Sequence, residues 1–347
     1  MDWLVRKTVL DAGLDLGTGW LRLGVRGKEQ TLEEPNLVAI DKVTTEIVAV
    51  GAQALEMLGR APERIRVVRP WRNGVVSDYD AAEAYLRYQL FTRLKLSSKP
   101  ALLLGLPLDA SEVEAKAATE LMREAGAGSV CLLPSLVLGA VGAGLPVLEA
   151  QGHLVLDLGA GTAEAAVLSL GGVVSQRCLR RGGLELDRAL ADYLRLKRFL
   201  LVGERSLEEL KRSVASADLE KLSQRANVRG RDLVTGLPRE ISVSSEELMP
   251  VLAPMLLTIT DLVLQTMEQT PPELLAYVLE QGLTMCGGVA SLPGLDAYLS
   301  KAAGINCAVP AEPQRCGLLG CQRLLKDRYL LDVLLAAQGE RVPAALA

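Results

Sequence analysis

The chain carries one short design twice, almost half its length apart. Val9-Leu10-Asp11-Ala12-Gly13-Leu14-Asp15-Leu16-Gly17-Thr18-Gly19 reads as a buried strand entering a glycine-rich turn, and Leu21 to Arg26 alternates like a returning strand. Far downstream, Gly152-His153-Leu154-Val155-Leu156-Asp157-Leu158-Gly159-Ala160-Gly161-Thr162 repeats it, followed by Ala165-Ala166-Val167-Leu168. Hairpins so far apart predict a duplicated half-molecule rather than a solenoid, whose repeats recur every ~20–50 residues. Between the copies, Ala101 to Pro107 predicts another buried strand, and Ser111-Glu112-Val113-Glu114 opens a helix with a capping-box pattern. Strands alternating with helices predict an α/β fold.

With 347 residues the chain is long enough for two lobes. Hydrophobic residues make up 49% and aromatics only 3%, so the core is aliphatic and base-stacking surfaces are scarce. The formal charge of -4 comes from interspersed acids and bases, which excludes the basic field a nucleic-acid partner needs. Cys131, Cys178, Cys286, Cys307, Cys316 and Cys321 show no zinc or disulfide spacing and read as reduced thiols. His153 is the one histidine, which leaves a His-based metal cluster or a Ser-His-Asp triad without its parts and reads as a locally satisfied side chain. Met1 to Leu10 lacks the apolar run of a signal peptide, so a cytoplasmic location is expected. Ser129 to Leu148 has no charge but is broken by Pro134, Pro146 and glycines, and reads as a buried strand, turn and helix rather than a membrane span.

A glycine-containing hairpin lets backbone N–H groups approach a phosphate, and a carboxylate at the strand end can hold Mg²⁺ through its water shell. Asp15 and Asp157 occupy those places. A third glycine cluster, Met285-Cys286-Gly287-Gly288-Val289-Ala290-Ser291-Leu292-Pro293-Gly294-Leu295, precedes the helical pattern of Asp296 to Ala303 and offers backbone to a flat adenine and ribose. Leu207 to Ser216 and Ser244 to Leu264 have helical composition, with a loop or hairpin at Val228 to Pro238 between them.

With these three clusters the sequence resembles the actin-like ATPase superfamily shared by actin, Hsp70 chaperones and sugar kinases. Asp15 to Gly19 looks like its first phosphate motif, Asp157 to Thr162 its second, and Cys286 to Leu295 its adenosine motif. Glu34 to Ile40, Val75 to Asp80, Gly142 to Val147, Gly203 to Ser206 and Val228 to Pro238 resemble more narrowly the MreB family of bacterial cell-shape proteins, in order from about Leu14 to Gly320. The resemblance implies an actin-like (ribonuclease H-like) two-lobe fold with the nucleotide cleft between the lobes. Its partition is 1–33, 67–145 and 315–347 for the first core, 34–66 for a small insertion, 146–181 and 247–314 for the second core, and 182–246 for a second insertion. It implies ATP and Mg²⁺ as ligands, held by Asp15, Gly17, Thr18, Gly19, Asp157, Gly159, Ala160, Gly161, Thr162, Gly287, Gly288 and Val289, with the metal at Asp15 and Asp157. Glu208 and Lys211 are expected at adenine or ribose, the alternative being an ion pair on one helix face. Asp187 is expected to be structural, and Arg229 and Arg231 solvated or at an interface.

The implied function is a self-assembling filament that organises cell shape and cell-wall synthesis beside the elongation proteins, peripheral at the inner face of the membrane. Met1 to Lys7 and Leu94-Lys95-Leu96-Ser97-Ser98-Lys99 are the two segments that could touch lipid, though an ordinary terminus and surface loop are favoured. Several residues depart from the family pattern. Gly19, Trp20 and Leu21 stand where a small residue and polar donors are usual, Ala160 and Val289 where glycines are, and Ala163 where a polar residue is. Pro134 and Ser135 stand where paired glutamates, one of them orienting the attacking water, are usual. Slow or absent ATP hydrolysis is therefore expected, with Ser135 at the glutamate's place and Asp157 positioning Mg²⁺ and water; robust hydrolysis would point instead to another water-positioning group such as Glu164. The alternatives are a nucleotide-binding scaffold that does not polymerise and a sugar-kinase-like phosphotransferase.

Overall fold

The computed structural model describes residues 9–218 and 224–338, in which two five-stranded sheets repeat one another strand for strand. In the first, β1 (Ala12–Leu16), β2 (Trp20–Val25) and β3 (Thr31–Pro35) form an antiparallel meander, and β4 (Ala101–Leu106) and β5 (Ser129–Pro134) add in parallel beyond β1. In the second, β6 (His153–Leu158), β7 (Ala163–Ser169) and β8 (Gly172–Leu179) form the meander, and β9 (Leu283–Cys286) and β10 (Cys307–Ala308) add in parallel beyond β6. The duplicated sequence is thus a duplicated sheet. β4 is buried along its whole length because both of its faces are covered, which is why it is an unbroken apolar run.

Leu102 and Leu104 of β4 point into a core shared with Leu14, Leu21, Leu23 and α1 (Glu112–Glu124). Leu103 points the other way, into a second core that draws on both sheets through Leu133, Val155 and Ala166. That second core encloses α2 (Ser135–Gly142), which crosses α6 (Cys316–Lys326) between the sheets. The crossing is glycine-lined. A Cβ on Gly142 would overlap the Cys316 carbonyl oxygen, and one on Gly320 the Leu138 carbonyl oxygen. Beside the second sheet lies α5 (Ser245–Glu268), and α3 (Gly183–Arg198) packs on it and on α4 (Glu204–Val214), which covers the small sheet inserted in that half. A small sheet of Val38–Asp41, Ile47–Val50 and Ile65–Val68 is inserted in the first half, and one of Leu200–Leu201, Arg225–Asp232 and Pro238–Ser244 in the second.

The capping box at Ser111 is formed, its hydroxyl accepting from the Glu114 N–H while the Glu114 carboxylate accepts from the Ser111 N–H. Val228 to Pro238 falls in a hairpin, and Ser129 to Gly142 is β5 followed by α2. α5 is long and apolar enough to cross a membrane by length and composition, yet Leu252, Leu256, Ile259 and Val263 bury one face of it in the second lobe's core. Of the two lipid-facing candidates, Met1 to Lys7 lies outside the described residues. At the loop candidate Leu94 and Leu96 pack inward on the first core, leaving Lys95, Ser97, Ser98 and Lys99 exposed. All six cysteines are free.

Candidate functional site

Both glycine turns are tied down by hydrogen bonds to the surrounding backbone and to a side chain. The Gly17 N–H closes the first turn on the Trp20 carbonyl at 2.9 Å, and the Asn36 side chain braces it by donating to the Gly17 carbonyl at 3.0 Å and the Trp71 carbonyl at 2.6 Å. The Gly159 N–H closes the second on Thr162 at 2.9 Å. The N-terminus of α3 then takes up two of that turn's carbonyls, Gly183 N–H donating to Gly159 at 3.0 Å and Leu184 N–H to Ala160 at 2.9 Å. Among the described residues no backbone acceptor takes up the N–H groups of Thr18, Gly19, Ala160 or Gly161. Four amides on two facing turns form an anion cradle.

The turns meet across the cleft. A Cβ on Gly161 would strike Thr18 Oγ1, and one on Gly19 would lie 3.2 Å from the Ala160 methyl group. Thr18 Oγ1 also accepts the Asn73 N–H at 2.8 Å, and Arg180 reaches from β8's end of the second lobe to the Asn73 carbonyl at 2.8 Å and to Asp109 at 2.8 Å. The two halves are thus clasped around the turns. A cleft of about 510 Å³, to which neither turn contributes a lining residue, lies between the halves, lined from one by Arg66, Arg69 and Arg72 and from the other by Asp187, Arg188 and Glu204, with an Arg69–Glu204 ion pair across it.

Asp15 and Asp157 sit at equivalent ends of β1 and β6, and the charge of Asp15 is felt at Asp157. Burial and then the charge of Asp15 push Asp157 up to about 7, with Arg22 opposing. Burial also raises Asp15, again opposed by Arg22. Two half-buried carboxylates that resist ionising together are a fit for a cation. Gly287 adopts φ 86°, and a Cβ there would fall 2.5 Å from Asp157 Oδ1, so the third glycine cluster is pressed against the second hairpin. Gly183 is the meeting point of the remaining candidates: a Cβ on it would lie 3.0 Å from Val289 Cγ2, 3.6 Å from Lys211 Nζ and 3.7 Å from the Ala160 Cα. Gly288 begins the short helical turn that carries Val289.

Lys211 and Glu208 do form the ion pair, at 2.5 Å, and Lys211 also binds Asp187 at 2.8 Å. Burial pushes Asp187 up to about 6, against the pull of Lys211. Burial likewise acts to raise Glu208, but Lys211 and Arg212 together hold it below its ordinary value. Ser135 opens α2 one turn before Gly139, where a Cβ would lie 3.9 Å from Asp157 Oδ2, so Ser135 is on the Asp157 side of that helix. Glu164 on β7 is the cross-strand partner of Asp157, accepts the Leu108 N–H at 3.0 Å, and is pushed up to about 8 by burial and then by Asp157. His153 begins β6, four residues and about 13 Å from Asp157.

Sequence reasoning missed Arg22, Asn36 as a brace, and the Asn73–Arg180 clasp. Only Arg22 had a local signal, since hairpin register sets it opposite Asp15.

A pH dependence follows for the nucleotide-free protein. Asp157 and Glu164 have folded pKa values above their ordinary 3.8 and 4.5, so the native state binds their protons more tightly than the unfolded chain. Their stabilising contribution is full below about pH 4 and is lost as pH rises through about 7 to 8. Melting in EDTA is expected to fall from about pH 5 to about pH 8, and Asp157→Asn to flatten that slope; a slope unchanged by the substitution contradicts the raised pKa of Asp157.

The family model described as MreB/Mbl protein matches residues 9–332. Cell shape-determining protein Mbl of Bacillus subtilis is 36% identical over 320 residues, covering 91% of this chain and 96% of the relative. Cell shape-determining protein MreB of Escherichia coli is 36% identical over 323 residues, covering 91% and 93%. The crystal structure of MreB5 of Spiroplasma citri bound to AMPPNP superposes with a TM-score of 0.86 at 31% identity, covering 91% of this chain and 95% of the other. The MamK double helical filament shares the fold, with a TM-score of 0.76 at 19% identity over 91% and 98%. Matched along nearly its whole length and built as two repeated lobes about a cleft, the chain belongs to the MreB/Mbl family of cell shape-determining proteins, with the actin-like fold.

Proposed function

We propose that this chain binds ATP with Mg²⁺ between its two hairpins and assembles into filaments at the inner face of the cell membrane, organising cell shape and cell-wall synthesis, with slow or no hydrolysis. The observation that carries the nucleotide reading is the set of four amides without backbone acceptors on two touching turns, beside two half-buried carboxylates. AMPPNP and ADP in the Spiroplasma citri MreB5 structures support it. Thr18, Gly19, Ala160 and Gly161 would hold phosphate oxygens through their N–H groups, with Gly17, Gly159 and Thr162 shaping the turns. Gly287, Gly288 and Val289 would line adenosine opposite Glu208 and Lys211. Asp15 and Asp157 would hold Mg²⁺ through water, and the ion would supply charge neutralisation for the triphosphate. The four-part division into two cores and the insertions at 34–66 and 182–246 belongs to the same reading, the insertions swinging with the lobes as the cleft closes. Assembly would follow because nucleotide selects the closed geometry.

Thermal unfolding tests the nucleotide reading. At a hundredfold excess of ATP over its Kd the folded state gains about 2.7 kcal/mol by linkage, so melting is expected to rise clearly. Asp157→Ala is expected to remove the Mg²⁺-dependent part of that rise, and an unchanged rise would take Asp157 out of the site.

A further inference from the structure

Arg22 lies directly across the first hairpin from Asp15, in register with it. Its Nη1 is 3.5 Å from Asp15 Oδ2, and its Nε donates to Glu33 Oε2 at 3.1 Å. Glu33 is held from the other side by Arg315 at 2.9 Å, so the guanidinium is fixed in place. It lies 6.0 Å from the centre of the Trp20 ring, which borders the phosphate turn on the same strand face. The Arg22 side chain is only 13% exposed, and its charge is felt at Asp157 as well as at Asp15. Trp20 and Leu21 carry no charge, which makes Arg22 the cation of β2 nearest the cradle.

A nucleoside triphosphate entering without a divalent ion would meet two carboxylates, and like charges in a partly dry site repel strongly. A guanidinium cannot be discharged at working pH, so its compensation is permanent where a metal's is conditional.

We propose that Arg22 is a built-in counter-ion of the nucleotide site, neutralising Asp15 and presenting positive charge to the polyphosphate of a nucleoside triphosphate, so that the nucleotide stays bound when divalent cation is withdrawn. This rests on the nucleotide reading above. It makes Arg22 a positioning residue and gives the cleft a weaker dependence on Mg²⁺ than its paired carboxylates alone would impose.

The test is the Kd for a fluorescent ATP analogue in Mg²⁺ and in EDTA, measured on the unaltered chain, Arg22→Leu and Arg22→Lys. The ratio of the two values within each protein cancels any general loss of folded material. For the unaltered chain chelation is expected to weaken binding by less than about tenfold, and for Arg22→Leu by about a further tenfold, the scale of one charge-assisted contact. Arg22→Lys, which keeps the charge but loses the fork, is expected between them. Should Arg22→Leu not fold, Arg22→Gln, which keeps a donor for Glu33, reads the same ratio. Binding by the unaltered chain that vanishes in EDTA, or an equal ratio in every variant, overturns the proposal alone. No binding of the analogue even with Mg²⁺ overturns the nucleotide reading and this proposal with it.

Discussion

Ser135→Glu is expected to raise phosphate release from bound ATP by about 10²–10⁴-fold, the usual yield of a positioned general base. Ser135 is the first residue of α2, where a carboxylate is favoured by the helix dipole, so the substitution suits its backbone. It faces the Asp157 side of the helix. Pro134 has no donor or base, and Ser135 cannot accept a proton near neutral pH without a partner. Glu164 is 2% exposed, already accepts the Leu108 N–H, and with its pKa near 8 is mostly protonated at pH 7. Pro134→Glu is expected to gain less, because it also removes the proline that ends β5 with φ -60°. Vigorous release by the unaltered chain, or no gain in either variant despite intact ATP binding, would contradict this reading.

Gly320→Ala is expected to destabilise the protein by about 1–3 kcal/mol or more. Alanine improves helix propensity by about 1 kcal/mol, so on an open helix the substitution would stabilise. Here the new methyl group would land on the Leu138 carbonyl oxygen, backbone that cannot turn aside. Overpacking therefore wins. Because α2 and α6 join the cores of both sheets, the two lobes should respond together in a melting experiment. A variant at least as stable as the parent would mean that the helices cross more loosely than described.

The legible part of the fold was local. Alternating apolar residues into a glycine turn identify each hairpin, and their repetition identifies the duplicated sheet. Asp15 and Asp157 were legible for the same reason, since a strand end and a turn fix where each carboxylate sits. The helix crossing was not legible, because Gly142 and Gly320 stand far apart in sequence and show their purpose only when Cys316 and Leu138 arrive. The same holds for Thr18 and Asn73, 55 residues apart, and for Asn73 and Arg180, 107 apart. Glu208 and Lys211 show the limit of spacing: it predicts their ion pair, but only the fold brings Asp187 and Gly183 to Lys211.

On this reading, a nucleotide held between the lobes drives self-assembly. Sedimentation of the purified chain over a range of concentrations, with and without ATP, Mg²⁺ and anionic lipid vesicles, and with electron microscopy of the pellets, tests it most directly. The expected result is a threshold concentration above which filaments pellet, lowered by ATP. A chain that stays monomeric at every concentration with all three present would contradict the filament reading and leave a nucleotide-binding scaffold.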